Sequence, residues 1–359
     1  MKRIVFLFFL VWTLAVPVQA ANLPPAVEDA LPEQAELLMK HVNYDLKGDL
    51  FRPIKQIATG AVGQAQGWIR QQFKGALTVL LAVLLSSVAE GFYQGLEKQK
   101  GTLLLPMIGA LSITLLTTGS LNDLMGLGTA TIHDLSIFSK ALLPTLAAAS
   151  AAMGGVTTAT VRQVATVFFV DLFLNLTDSF LVPLVYLYVG ALAASSCLPG
   201  GRLESIAQLL KKIVVWILTC LLLLFTVYLS VSSIFSGVVD SASVRVAKAA
   251  ISGAVPIVGG IIAEASETIL AGAGLLRGSI GLFGVLGIFA ACAVPFLRMG
   301  AQYLFFKIIA FMAATVGPPG LCKLVDGLGG AFGLMLGMTG SCALLLLISV
   351  LASVAAVVP

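Results

Sequence analysis

Six stretches of the chain carry no charged side chain over about 20 residues or more, and they restrict its fold more than any other feature. They are Gly101–Asn122, Ala141–Val161, Ser179–Gly201, Ile213–Val239, Gly278–Leu297 and Gly327–Pro359. At 1.5 Å per residue, about 20 apolar residues cross the ~30 Å hydrocarbon core of a bilayer. Charged residues make up 11% of the chain, compared with about 25% in an average soluble domain. The sequence therefore predicts an all-α, polytopic helical membrane protein.

The N-terminus has the pattern of a secretory signal peptide. Lys2 and Arg3 precede a short, mostly apolar run, and a small-x-small site ends at Ala20. The apolar run is too short for an ordinary membrane span, so we expect a signal peptide over residues 1–20, cleaved after its last residue. The alternative is an uncleaved signal anchor. In both cases the following residues begin on the outer side of the membrane.

Residues 21–74 form the long polar segment of the chain and are predicted to be an extracytoplasmic, amphipathic helical segment. A segment of this length can hardly bury a stable core by itself. Two interpretations stay open: helices that lie on the membrane surface, or a docking site for an extracytoplasmic partner. Residues 75–359 are then the multi-span helical membrane domain.

Lysine and arginine indicate which loops face the cytoplasm. With the N-terminus outside, a first span over Gly75–Tyr93 leads to an inner loop around Lys98, and a second span over Thr102–Ser120 leads outward. Another inner loop is predicted at Arg202 and the pair Lys211–Lys212. The outer loop after the second span and the inner loop at Arg202 must be separated by an odd number of crossings.

Two clear spans, an even number, lie between these loops, so we expect an irregular membrane segment among them. The outer loop would hold Asp123 and Asp134, and two clear spans follow it. Either residues 163–177 form a third, imperfect crossing, or residues 141–161 enter the membrane and return. We expect about seven to nine membrane segments in total, including re-entrant or broken helices.

Two turns are predicted in the last hundred residues from the positions of charged side chains. Arg298 and Lys307 bracket an inner turn, and Lys323 with Asp326 marks an outer turn.

An acidic pair lies in an otherwise apolar, glycine-rich region. Pro256 and Gly259-Gly260 interrupt the sequence, and Glu264 and Glu267 follow on one helical face. Irregular backbone at membrane depth is tolerated where it is buried in protein or lines a water-filled cavity. The region 240–277 is therefore either a re-entrant element that lines a pathway, or an outer amphipathic helix with a solvated acidic face.

A second polar group is formed by Asp171, Asn175 and Asp178, whose spacing of i, i+4 and i+7 places them on one helical face. Such a stripe in a membrane protein points into the bundle or toward water. We consider these residues candidates for lining a pathway. The alternative is that this helix end lies among lipid headgroups, where polar side chains cost little.

Regularly spaced glycines predict faces for close helix packing, since a residue without a side chain lets two backbones approach. Two interpretations stay open: packing within the chain, or packing between subunits. The candidates are Gly274, Gly278, Gly281, Gly284, Gly287, Gly329, Gly333 and Gly337.

Motifs for catalysis, metal binding or nucleotide binding are missing from the sequence. The five cysteines include no C-x-x-C pair, and His41 and His133 have no neighbours at metal-ligand spacing. The segment GAGLLRGS at 272–279 lacks the glycine spacing and the lysine of a phosphate-binding loop. We therefore expect no enzymatic activity, no metal and no cofactor.

The segment Ser252–Arg298 resembles the stage III sporulation protein AE family. The resemblance rests on PIVGGII, EASETILAGAGLLR, the glycine-spaced helix and VPFLR, and on LLPTLAAASAAMGG at Leu142–Gly155. It implies a permease-like subunit of a secretion-like channel complex that connects the mother cell with the forespore of an endospore-forming bacterium. Implied partners are other stage III sporulation membrane proteins, including a separate ATPase and ring-forming subunits.

The same resemblance implies a location in the mother-cell-derived outer forespore membrane. It carries over no catalytic or ligand-binding residues. The alternative function is a stand-alone secondary transporter of an ion or small metabolite. Such transporters often contain inverted repeats and a charged site at mid-membrane, and no repeat relates the two halves of this sequence.

Overall fold

The computed structural model describes residues 24–40, 51–96, 104–151, 158–197, 203–228 and 259–355. Within these ranges the regular elements are helices and no strand occurs, which confirms the predicted all-α class. Residues 1–20, and with them the predicted signal peptide, lie outside the described ranges. The helices are α1 Pro25–Glu28, α2 Glu33–Met39, α3 Phe51–Leu96, α4 Leu104–Ala151, α5 Thr158–Leu176, α6 Val182–Cys197, α7 Leu203–Tyr228, α8 Gly259–Val316 and α9 Pro319–Ala355.

Five helical segments within the described residues are long and apolar enough to cross a membrane. They are Arg52–Phe92, Val164–Ser196, Leu203–Tyr228, Gly278–Val316 and Pro319–Val354. The protein is therefore a helical membrane protein, while the predicted count of seven to nine segments is not confirmed.

The antiparallel pair of α8 and α9 forms the centre of the bundle. The two helices pack together along most of their length, and Phe306, Phe332 and Leu346 between them are almost completely buried. The helices α3 and α4 both pack against this pair, and α6 packs against α9 and α4. Three of the remaining long helices thus surround one apolar core.

The turn between α8 and α9 follows from its sequence, Gly317-Pro318-Pro319. The Gly317 N–H still donates to Ala313 O at 2.6 Å, and an added Cβ at this glycine would lie 2.9 Å from that oxygen. Pro319 occupies the first position of α9, where a missing N–H costs nothing. A glycine that permits close approach and two prolines that cannot continue a helix therefore reverse the chain here.

The segment that precedes α3 is packed against the bundle. Val27 and Ala35 are fully buried, α1 contacts α4, and α2 contacts α8. The helix α3 then continues without a break through residue 74, where the sequence placed a domain boundary. Trp68 of α3 lies under the Arg298 guanidinium, whose carbon is 5.7 Å from the ring centroid.

The predicted outer loop around Asp123 and Asp134 is wrong, because both residues lie inside the continuous helix α4. Buried apolar side chains recur along this helix at spacings of three and four residues. They are Leu121, Leu124, Met125, Ile132, Leu135, Phe138, Leu142, Leu143 and Leu146. Burial of this stripe against the other helices keeps the polar stretch helical.

The extra crossing at 163–177 is wrong, while the alternative of a dip at 141–161 includes residues 152–157, which lie outside the described ranges, and stays a prediction. A five-residue π-helical turn, Thr177–Leu181, joins α5 to α6, so that residues 158–197 form one helical rod. The helix α4 is likewise continuous over Leu104–Ala151, but it is not among the five segments that are apolar enough to cross a membrane.

The two turns predicted near the C-terminus are also wrong. Arg298 and Lys307 both lie inside α8, and Lys323 with Asp326 lies inside α9. Lys307 Nζ donates to Asp326 Oδ1, so these two side chains meet at one level of the bundle. Lys211 and Lys212 likewise belong to α7 rather than to a loop.

Candidate functional site

The predicted polar stripe is divided by the π-helical turn. Asp171 in α5 forms an ion pair with Lys140 of α4 at 3.0 Å, and Asn175 Nδ2 donates to the other oxygen of the same carboxylate at 3.0 Å. The Lys140 and Asp171 side chains are 57% and 39% exposed. The charge of Asp171 is thus balanced by a neighbouring helix, which is how charged side chains persist in membrane bundles.

Asp178 lies in the π-helical turn and takes part in a different site. It lines an open groove of about 960 Å³ together with His133 of α4 and Tyr186 of α6. The turn forms where Thr177 Oγ1 donates to Phe173 O at 2.8 Å. Insertion of one residue into a helix shifts the register of all side chains after it, and π-turns are frequent at functional sites. The structure therefore pairs Asp171 with Asn175 and places Asp178 in the groove.

The acidic pair Glu264 and Glu267 lies in the continuous helix α8, near its start at Gly259. Their side chains and residues 229–258 lie outside what the structure describes. The choice between a re-entrant element and an outer amphipathic helix therefore stays a prediction.

The candidate glycines differ in their surroundings. An added Cβ at Gly287 would lie 2.8 Å from Phe138 Cζ, and one at Gly284 would lie 2.7 Å from Leu142 Cδ2. At Gly281 it would overlap Val354, at Gly333 it would lie 3.0 Å from the Tyr303 ring, and at Gly329 it would lie 3.1 Å from Phe306 Cβ. Gly278 and Gly337 face open space, and the surroundings of Gly274 lie outside the described side chains. Five of the eight candidate glycines thus lie where a side chain of another helix approaches closely.

Six charged side chains line a cleft between α6, α7, α8 and α9, which we name the lysine cleft. It has a volume of about 1050 Å³. Its charged lining residues are Lys211, Lys212, Lys307, Lys323, Glu204 and Asp326. Four ammonium groups against two carboxylates give the cleft an excess of positive charge.

Two ion pairs hold three helices around the lysine cleft. Lys323 Nζ of α9 lies 2.9 Å from Glu204 Oε1 of α7, and Lys307 of α8 pairs with Asp326 of α9. The wall between α6 and α9 is closed by Tyr188, whose hydroxyl donates to the backbone carbonyl of Gly327 at 2.9 Å. Because Tyr188 is only 3% exposed, this hydrogen bond is shielded from competing solvent.

The sequence alone did not identify the lysine cleft as one site. Its residues are separated by up to 119 positions, as in the pair of Lys323 with Glu204. The sequence did offer one indication of a buried polar site, the i, i+3 spacing of Lys323 and Asp326 within an apolar run. From the local sequence, these two residues are interpreted as a turn. Among the described residues, no group of three or more His, Cys, Asp or Glu is arranged to hold a metal ion.

Comparisons with known proteins match most of this helical bundle. A family model described as stage III sporulation protein AE matches residues 38–357. A curated relative, the stage III sporulation protein AE of Bacillus subtilis (strain 168), is 22% identical over 241 residues, which are 67% of this chain and 59% of the relative. The chain thus matches less than two thirds of that relative's length. No solved structure matches the chain.

Proposed function

Because the chain belongs to the stage III sporulation protein AE family, we propose that it is the permease-like membrane subunit of a sporulation-specific channel complex. This complex would connect the mother cell with the forespore and would be required for spore development. The observation that carries the proposal is the family match over residues 38–357, which includes every long helix from α3 to α9. The function is therefore assigned to the whole bundle rather than to one local motif.

We further propose that the protein lies in the outer forespore membrane, with the lysine cleft toward the mother-cell cytoplasm. The cleft lies near the α8–α9 turn. The last part of α3 and the start of α7 lie at the same end of the bundle, since Ser87 Oγ donates to Val316 O and Glu204 pairs with Lys323. In the sequence, Lys98 and Lys100 follow α3, and Arg202 precedes α7. The orientation follows from the preference of lysine and arginine for the cytoplasmic side of a membrane.

The candidate passage is lined by Glu264, Glu267, Asp171, Asn175 and Asp178. Of these, Asp171 is paired with Lys140, and Asp178 lines the groove beside His133. Close packing at the glycine faces would keep the rods together around it. Since the sequence contains no nucleotide-binding motif, the energy for transport would come from a separate ATPase, with ring-forming subunits as further partners.

Affinity purification at native expression tests this proposal. The tagged protein is isolated from gently solubilised membranes of sporulating cells, and co-purified proteins are identified by mass spectrometry. A tagged multi-pass membrane protein of unrelated function, expressed at the same stage, is the control. We expect the ATPase and ring-forming sporulation proteins with this chain and neither with the control.

Recovery of the chain alone, as a monomer or homo-oligomer, would contradict the assignment to a channel complex. The stand-alone secondary transporter would then be the better explanation.

A further inference from the structure

We propose that the lysine cleft is a binding site for the phosphate group of an anionic phospholipid. This site is independent of the proposed channel function, since no step of transport is assigned to it. Basic pockets between membrane helices on the cytoplasmic side are suited to anionic headgroups, which concentrate in that leaflet. Three features of the cleft point to this ligand: the pairing of its charges, the position of Lys211 against α9, and the exposed aromatic side chains beside the lysines.

Two of the four lysines in the cleft are available to a ligand. Lys307 and Lys323 are neutralised by Asp326 and Glu204. Lys211 and Lys212 line the same cleft and form no ion pair within the described residues. Within the described part of the chain, two neighbouring positive charges therefore remain without a carboxylate partner, and a phosphate group would supply a negative charge for them.

Lys211 reaches into the cleft as far as the backbone of α9. An added Cβ at Gly330 of α9 would lie 3.3 Å from Lys211 Nζ and 3.0 Å from Tyr188 Oη. The ammonium group of Lys211 thus lies against the backbone of α9, in space that a larger residue would fill. Lys211 is half-buried and Lys212 is exposed, so that one lysine lies within the cleft and the other at its opening.

Exposed aromatic side chains beside the lysines indicate that the ligand is a lipid. Trp216 and Phe311 also line the cleft, and their side chains are 68% and 76% exposed. Exposed aromatic side chains next to lysine are typical of the level where headgroups meet hydrocarbon. A ligand that contacts both the two lysines and these aromatic side chains carries a phosphate group and an acyl chain.

Lipid binding is measured with the purified full-length protein in a neutral maltoside detergent. Phosphatidylglycerol and phosphatidylcholine are compared at equal mole fractions by thermal shift and by the phosphorus retained after gel filtration. Glycerol 3-phosphate at millimolar concentration provides the headgroup without acyl chains. We expect phosphatidylglycerol to bind at least about tenfold more tightly than phosphatidylcholine, since only its headgroup carries a net charge for the two lysines.

The double substitution Lys211→Gln with Lys212→Gln should abolish this preference. The matched control is Lys55→Gln with Lys74→Gln, which removes the same charge from exposed positions on α3. This control variant should still prefer phosphatidylglycerol. Lys212→Gln alone, at an exposed position, should give an intermediate loss and tests the site even if the double variant misfolds.

Three outcomes would overturn the proposal. Equal affinity for the two lipids would show that the cleft does not recognise an anionic headgroup. Equal losses in the cleft variant and in the control variant would show a non-specific charge effect. Full competition by glycerol 3-phosphate, with the same dependence on Lys211 and Lys212, would assign the site to a soluble phosphate compound instead of a lipid.

Discussion

Replacement of Gly287 by alanine should destabilise the bundle, because the added methyl group has no room. The new Cβ would lie 2.8 Å from Phe138 Cζ, 3.2 Å from Phe138 Cε1 and 3.0 Å from Leu31 Cδ1. Carbon atoms in good contact are about 3.5–4.0 Å apart. Phe138 is fully buried, and its rigid ring cannot turn away without displacing other core side chains.

The expected size of the effect follows from two opposing terms. Overpacking of a dense core costs about 1–3 kcal/mol, while replacement of a glycine within a helix by alanine gains about 1 kcal/mol. Gly278→Ala in the same helix is the matched control, since nothing lies within 4 Å of its added Cβ. The helix term cancels between the two variants, and Gly287→Ala should be less stable than Gly278→Ala by about 1–3 kcal/mol.

The free energy of unfolding would be measured by denaturant titration in detergent micelles, followed by tryptophan fluorescence. A second substitution, Phe138→Leu, removes the ring atoms that the new methyl group meets. In the double variant with Gly287→Ala, the loss in the free energy of unfolding should be smaller than the sum of the losses in the two single variants. The difference should be about 1 kcal/mol or more. Equal stabilities of Gly287→Ala and Gly278→Ala would refute the packing explanation for this glycine face.

Three further predictions concern polar side chains. Glu264→Gln combined with Glu267→Gln should impair spore maturation at normal protein levels, because the pair is proposed to line the passage; wild-type sporulation would mean that the two carboxylates are merely solvated. Tyr188→Phe should lower the free energy of unfolding by about 1 kcal/mol, the net value of one buried hydrogen bond, and an unchanged titration midpoint would contradict that. Lys307→Glu should weaken the bundle by placing two carboxylates together, and exchange of the charges with Asp326→Lys should restore its thermal stability; a double variant no more stable than the single one would show that the ion pair does not hold α8 to α9.

Hydropathy predicted which parts of the chain are helical, but it did not predict where helices end. An apolar run indicates a helix long enough to lie in lipid, and the described parts of the runs at 102–120 and 141–161 lie in helices. The stretch between them carries Asp123 and Asp134, which lowers its hydropathy. It stays helical because Leu124, Leu135 and Phe138 are buried against other helices, and such tertiary contacts are not visible in local sequence.

The candidate sites were predicted unevenly for a similar physical reason. Helical spacing placed Asp171 and Asn175 next to each other, and their hydrogen bond agrees with that spacing. It could not predict that Lys140 balances the charge of Asp171, or that a π-turn separates Asp178 from these residues and places it in the groove beside His133. The glycine repeat likewise could not distinguish Gly287 from Gly278, because the difference depends on Phe138, which belongs to a different helix.

The uninterrupted course of α8 makes this helix much longer than a membrane is thick. Its 58 residues extend over about 87 Å at 1.5 Å per residue, compared with ~30 Å for the hydrocarbon core of a bilayer. Even at a tilt of about 40°, a helix of this length does not fit within the hydrocarbon. Part of α8 must therefore lie outside the hydrocarbon at one or both of its ends, and Glu264 and Glu267 lie near one of these ends.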